Sequence, residues 1–60
     1  MNVRVVMEVN GEMTTISNYS TKEVLPNVTD RVIIGSNKYE VKERLFNLPS
    51  NIVFIKVEKV

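Results

Sequence analysis

The chain has no cysteine and no histidine among its 60 residues. Disulfides are therefore excluded, and a zinc site is strongly disfavoured because zinc is usually bound by thiolate and imidazole ligands. A domain of this size buries only about 60% of the surface that its unfolded chain exposes, so its stability is marginal. Small domains often gain support from disulfides, metals or oligomerisation. Oligomerisation is the option left, and the composition favours a homodimer over a self-sufficient monomer.

The residues that carry out most enzyme chemistry are scarce as well. There is no histidine base and no cysteine nucleophile, and the two glycines, Gly11 and Gly35, are too few for a phosphate-binding loop. The seven carboxylates are scattered along the chain. A chain this short also has little room for a pocket of the usual ~300 Å³ or more. We therefore expect a protein that is not an enzyme, without catalytic, metal-binding or cofactor-binding residues.

Neither charge nor hydrophobicity is concentrated in one part of the chain. The chain has eight Lys and Arg residues and seven Asp and Glu residues, which gives a net charge of +1. A nucleic-acid-binding domain more typically shows a basic excess, so this class is disfavoured. No run reaches the ~18 apolar residues that a membrane span needs, and the N-terminus lacks the apolar stretch of a signal peptide. The sequence thus predicts a cytoplasmic protein without membrane contact.

Alternation of apolar and polar residues predicts five strands, at about 2–9, 12–18, 31–34, 38–46 and 52–59. The dipeptide Asn10-Gly11 predicts a two-residue type I′ hairpin between the first two strands. That turn would place Met7 opposite Thr14 and Val5 opposite Ile16. We expect one all-β domain over residues 1–60, with about five antiparallel strands in a small barrel or compact sandwich.

The periodicity is lost between residues 19 and 30. The segment 20–23 reads S-T-K-E, the spacing of a helix capping box, but Pro26 limits any helix there to about one turn. We therefore expect at most one helical turn near residues 20–25. An irregular connector with Val24 and Leu25 in the core is the favoured alternative, because so short a helix has little stability of its own.

The last predicted strand is apolar on both of its faces. Val53, Ile55 and Val57 point one way, while Ile52 and Phe54 point the other. A chain of 60 residues cannot build a protein layer over each face, so one set needs a partner. The apolar side chains left over after one core face is assigned form the predicted interface: Val6, Met13, Phe46, Ile52, Phe54 and Val60. The alternative is a closed barrel that wraps both faces into one core.

Two further surfaces are open to partners. The C-terminal strand is predicted to be a free sheet edge, which would allow a continuous intersubunit sheet.

Strict alternation in the fourth strand places Tyr39 and Leu45 on one side and Arg44 and Phe46 on the other. A basic and aromatic set suits single-stranded nucleic acid: Tyr39, Lys42, Arg44, Phe54, Lys56 and Lys59. A solvated face balanced by Glu40, Glu43 and Glu58 is the favoured interpretation of these charges.

Three segments of the chain resemble a group of very small proteins carried by phages of Bacillus and its relatives. They are the L-P-x-V-x-D-x-V pattern at 25–32, the K-Y-x-V strand at 38–41 and the closing V-F-I-K-V-E-K-V at 53–60. The resemblance covers about the last 37 residues. The motifs are structural, so no functional residue is carried over from the family.

Within this family the chain is similar in size and character to proteins that inhibit bacterial defence systems. The resemblance implies a homodimer in the host bacterial cytosol that binds and blocks a host anti-phage defence protein. A Hachiman helicase-nuclease complex is the specific target that it suggests. Two alternatives stay open: a small β-barrel that binds nucleic acid, and a structural or assembly component of a phage.

Overall fold

The computed structural model describes residues 1–21 and 25–60, which form one five-stranded sheet. The strands are β1 (Asn2–Val9), β2 (Glu12–Ser20), β3 (Arg31–Ile34), β4 (Asn37–Asn47) and β5 (Ile52–Lys59). The predicted all-β class and the five strands are confirmed, and the described residues include no helix. The predicted helical turn near residues 20–25 falls mainly on residues 22–24, which lie outside the described residues.

The strand order is β2-β1-β5-β4-β3, and β1 pairs with β5 in parallel. The prediction of an entirely antiparallel sheet is therefore wrong at this pair. Parallel neighbours need a long connection, which β2, β3 and β4 supply together. Because β5 lies between β1 and β4, it is also not a free edge. The predicted intersubunit sheet through the C-terminal strand is wrong, and the edges of the sheet are β2 and β3.

The hydrophobic core lies on the inner face of the sheet, around the β1–β5 pair. Val3 pairs with Val53 and Val5 with Ile55, and Val41 of β4 pairs with Val57 on the other side of β5. The sheet curls around these side chains into a half-barrel, so its inner face is concave and its outer face convex. Burying each such side chain contributes about 1.5–3 kcal/mol. The inner face is therefore the part of the molecule that holds the fold together.

The β1–β2 hairpin follows its turn signal and then departs from the predicted register. Asn10 and Gly11 both have positive φ, 52° and 83°, as a type I′ turn requires. The predicted pair of Met7 and Thr14 is present, but Val5 pairs with Ser17 instead of Ile16 because β2 contains a bulge there. The extra residue of this bulge is Ile16, which packs against the core, and the bulge increases the local twist.

A second bulge changes the faces of β4. Val41 pairs with Val57 and Glu43 with Lys56, so Lys42 is an extra residue without a counterpart in β5. The predicted alternation of β4 is therefore wrong beyond Val41. Leu45 lies on the outer face, opposite Phe54. Arg44 and Phe46 lie on the inner side, where the register places them opposite Ile55 and Val53.

The connector before β3 is fixed by its own turn and by β4. The Asn27 N–H donates to Asp30 Oδ2 at 2.8 Å, and the Asp30 N–H donates to the Asn27 carbonyl at 3.0 Å. The Thr29 N–H donates to the Val41 carbonyl at 2.8 Å, and the Val41 N–H donates to the Asp30 carbonyl at 2.9 Å. The aspartate of the L-P-x-V-x-D-x-V pattern thus has a structural role in this turn.

Candidate protein-binding surface

The convex outer face carries an apolar and aromatic row across its middle strands. The register places Arg4 of β1 beside Phe54 of β5, and Phe54 beside Leu45 of β4. The guanidinium carbon of Arg4 lies 5.6 Å from the centre of the Phe54 ring, within the range of a cation–π contact. Phe54 is half-buried, whereas Leu45 is 46% exposed. This row presents ring, alkyl and guanidinium surface to solvent.

The same surface continues around β4. The Arg44 guanidinium lies 5.8 Å from the centre of the Phe46 ring, which is 49% exposed. Among the described strands, β3 pairs only with Asn37–Glu40, so the C-terminal half of β4 has β5 as its single neighbour. Side chains from both faces can therefore meet at this margin of the sheet. They do, because Leu45, Phe46 and Phe54 line one shallow depression of about 480 Å³.

The β4–β5 loop completes this surface with an exposed leucine. Leu48 is 80% exposed and lines the same depression with Pro49. The loop is fixed by the Asn51 N–H, which donates to the Leu48 carbonyl at 3.3 Å, and by Asn51 itself, whose φ is 55°. We call this surface the arginine–aromatic end and define it by six residues: Arg4, Arg44, Leu45, Phe46, Leu48 and Phe54.

Charge of both signs is gathered toward the other end of the sheet. Glu58 lies opposite Glu40, and Glu40 lies opposite Arg31. The Lys42 ammonium donates to Glu40 Oε2 at 2.8 Å, and this hydrogen bond holds the pKa of Glu40 below its usual value and raises the pKa of Lys42. Arg31 Nε lies 4.0 Å from Glu40 Oε1. Lys42 thus belongs to a mixed ion-pair cluster.

The basic and aromatic set predicted for nucleic acid does not form one surface. Tyr39 is buried in the core, and Lys42 is paired with Glu40. Lys56 lies opposite Glu43, and Lys59 lies opposite Tyr39 at the far end of β5. Only Arg44 and Phe54 of the six belong to the arginine–aromatic end. The arrangement agrees with the favoured interpretation of these charges, a solvated strand surface on which acidic residues balance the basic ones.

The structure distributes the six predicted interface residues over three places. Phe46 and Phe54 belong to the arginine–aromatic end, and Ile52 lies half-buried beside Asn2 near it. Val6 is on the outer face but only 5% exposed. The remaining two, Met13 and Val60, are exposed toward the opposite end, where Met13 pairs with Glu8 and the Val60 N–H donates to the Lys38 carbonyl.

Sequence reasoning did not include Arg4, Leu45 and Leu48 in the interface. Nothing in the sequence pattern brings Arg4 to this surface, and strict alternation places Leu45 on the side of Tyr39, away from Phe46. The sequence signal that could have identified this exposed surface is the run Leu45-Phe46-x-Leu48, which has three large apolar residues at the end of a strand and in the following turn. A turn residue is normally polar, so an apolar one there indicates exposed hydrophobic surface.

Metal-ligand clusters and membrane-spanning helices are absent from the described residues. No three of their Asp or Glu side chains come together as potential metal ligands. No helix within residues 1–21 and 25–60 has the length and hydropathy to cross a membrane. Comparison of the chain with protein-family models, curated proteins and solved structures returned no match. The resemblance to small phage proteins therefore depends on the sequence motifs alone.

Proposed function

We propose that this chain is a phage-encoded, non-enzymatic protein that binds and inhibits a host anti-phage defence protein in the bacterial cytosol. A Hachiman helicase-nuclease complex is the first target to test. The sequence motifs support the phage origin, and the arginine–aromatic end supports action by binding. Its composition is that of an interface core, in which Phe and Arg are enriched while Lys, Glu and Asp are depleted.

Exposure of Leu45, Phe46 and Leu48 is the observation that carries the proposal. These side chains adjoin Phe54 in one continuous apolar area. A small domain would gain stability by burying such side chains, so keeping them exposed indicates selection for contact with another molecule. A binding inhibitor needs a rigid surface and no catalytic groups.

A plating assay tests the proposal in cells. Expressed in a host that carries the Hachiman system, the protein should restore plaque formation by a phage that the system restricts. The variant Leu45→Ser/Leu48→Ser should lose this effect, because it removes apolar contact area from exposed positions without opening a core cavity. Ile33→Ser is the matched control, since Ile33 is 70% exposed on β3, away from this surface.

The control variant should protect phage as well as the unchanged protein does. Defence systems of other classes, tested in the same way, extend the assay beyond the first target. The proposal fails if expression of the protein gives no plating advantage on any defended host.

The proposal includes a homodimer, as the composition predicts. Unpaired backbone groups are present along the outer edges of β2 and β3 and along the C-terminal half of β4, which β3 does not cover, and another strand can be added to the sheet at these edges. We expect light scattering over a dilution series to give twice the mass of the chain. A mass equal to that of one chain at every concentration would show that the protein is a monomer and remove this part of the proposal.

Binding of single-stranded nucleic acid is the second candidate function. The observation in its favour is the pairing of each arginine with a phenylalanine ring, Arg4 with Phe54 and Arg44 with Phe46. Arginine and aromatic groups together contact phosphates and bases in proteins of that class. Affinity for an oligonucleotide would then fall steeply as salt is added.

A further inference from the structure

We infer that the arginine–aromatic end docks into an acidic groove with an apolar floor on a larger protein. This inference rests on the proposed function for the general class of partner, a protein, and adds the chemistry of the surface that is recognised. Leu48 and Leu45 would contact the apolar floor. Arg4 and Arg44 would contact carboxylates on the two walls.

The shape of the molecule favours a groove over a flat surface. The sheet curls toward its core, so the row of Arg4, Phe54 and Leu45 lies on the convex side. The β4–β5 loop projects Leu48 beyond the end of the two strands, with 80% of its surface exposed. A convex surface ending in a projecting leucine is complementary to a concave one. The contact would bury the projecting leucine against the apolar floor, which removes its exposed surface from water.

The charge distribution favours an acidic partner. The six residues of this end include two guanidinium groups and no carboxylate, and the nearest carboxylate on β4, Glu43, lies opposite Lys56, which offsets its charge. Glu8, Glu40 and Glu58 lie toward the other end of the strands. Guanidinium groups bind carboxylates through paired hydrogen bonds, and they are less strongly hydrated than the ammonium group of lysine. Both arginines therefore suit a contact that expels water.

A second copy of the chain is a poor occupant of this surface. Any two-fold contact of this end with itself would bring arginines of one copy toward arginines of the other without carboxylates from the described part of the end to offset them. Like charges brought together in an interface oppose association. Two convex surfaces also touch over only a small area. The proposed homodimer is therefore expected to use another part of the molecule.

Nucleic acid is a poorer match than an acidic protein. Two cations give a weak phosphate-binding surface, since affinity for nucleic acid depends on the number of phosphates neutralised. The Phe54 ring has Arg4 over it and is half-buried, which leaves little of it for a stacked base. The leucines at the end of β4 and in its loop have no role in phosphate recognition. Four apolar side chains together with two guanidinium groups indicate an apolar and acidic partner.

A peptide-binding assay tests the inference without any defence protein. The probe is a fluorescent twelve-residue peptide of alternating Glu and Leu, and binding is measured by fluorescence anisotropy at low and at high salt. A Lys/Leu peptide of equal length and a twelve-nucleotide oligothymidylate are the comparison probes. We expect the Glu/Leu peptide to bind best, and its affinity to fall as salt is added.

Charge reversal then locates the binding surface. The variant Arg4→Glu/Arg44→Glu should weaken binding of the Glu/Leu peptide by at least about tenfold, through loss of charge-assisted hydrogen bonds and gain of repulsion. Lys38→Glu/Lys59→Glu makes the same change of net charge at the other end and should have little effect. Leu48→Ser should weaken binding in a variant that keeps both arginines, and circular dichroism verifies that each variant is folded.

The remaining outcomes overturn the inference. Equal binding of both peptides would indicate unspecific apolar contact, preferred binding of the oligothymidylate would indicate nucleic acid, and absence of peptide binding would exclude the acidic groove.

The peptide-binding assay is independent of the plating assay. Arginine-dependent peptide binding without a plating advantage would contradict the proposed function alone, whereas a plating advantage that survives Arg4→Glu/Arg44→Glu would contradict the acidic groove alone.

Discussion

Ile55→Ala should lower the free energy of unfolding by about 2–5 kcal/mol, the range for truncation of a fully buried isoleucine. Ile55 is 0% exposed and pairs with Val5 on one side and Arg44 on the other. Native domains have about 0.05–0.15 kcal/mol of stability per residue, which for this length is only about 3–9 kcal/mol. The substitution therefore removes a large share of the total, and a substantial unfolded fraction is expected at physiological temperature.

Urea denaturation followed by circular dichroism measures this effect. Ile33→Ala is the matched control, because it makes the same chemical change on a side chain that is 70% exposed. The control should change the free energy of unfolding by no more than about 0.5 kcal/mol. Similar losses in both variants would show that the inner face of β5 is not the centre of the core.

The strands themselves could be predicted because their signals are local. Alternation in residues 2–9 and 52–59 requires only neighbouring residues, and β1 and β5 begin and end within a residue of the predicted positions. The turn at Asn10 and Gly11 was equally predictable, since few other residues accept positive φ at both positions. Local chemistry was sufficient wherever one face of a strand is apolar and a turn residue marks its end.

The pairing of β1 with β5 could not be predicted in this way. It joins residues about 50 positions apart in sequence, such as Val3 and Val53. Nothing in an alternating pattern distinguishes a parallel neighbour from an antiparallel one. The apolar outer side of β5 was a partial signal, because central strands are apolar on both faces more often than edge strands. The sequence favours an interface on this side, with a closed barrel as the alternative, and Val6 beside Lys56, only 5% exposed, shows that part of this side is shielded within the sheet.

The candidate site was missed in part because a bulge has little sequence signature. Lys42 is an ordinary residue of an alternating strand, and its extra position moves Leu45 to the outer face beside Phe54. Phe54 and Phe46 were predicted to be available to a partner, and both belong to the arginine–aromatic end. The positions of Arg4 and Arg44 beside these two rings could not be predicted, because they depend on the register between strands, which the sequence alone does not determine.

Deletion of Lys42 should leave the fold intact, whereas deletion of Lys56 should abolish it. Without Lys42, β4 becomes a regular strand in which Val41 and Arg44 still face inward and Leu45 still faces outward. The existing register from Glu43 to Asn47 is kept. The remaining cost is the loss of the exposed ion pair with Glu40, and exposed pairs contribute little to stability because water and salt screen both charges.

Lys56 is the matched control because it is also a lysine within a long strand. It has counterparts on both sides, Val6 in β1 and Glu43 in β4. Its deletion makes Ile55 and Val57 adjacent, and adjacent residues of a strand point to opposite faces, so one of the two must leave the core. A central strand between two others has no free side on which to absorb the change.

Thermal unfolding by circular dichroism and dispersion of amide signals in NMR spectra distinguish these outcomes. Lys42→Ala separates the loss of the ion pair from the loss of a backbone position, and it should resemble the deletion of Lys42. If deleting Lys42 unfolds the chain as completely as deleting Lys56 does, the bulge is required for the curl of the sheet rather than tolerated by it. The convex shape of the outer face at Arg4, Leu45 and Phe54 would then depend on that one extra residue.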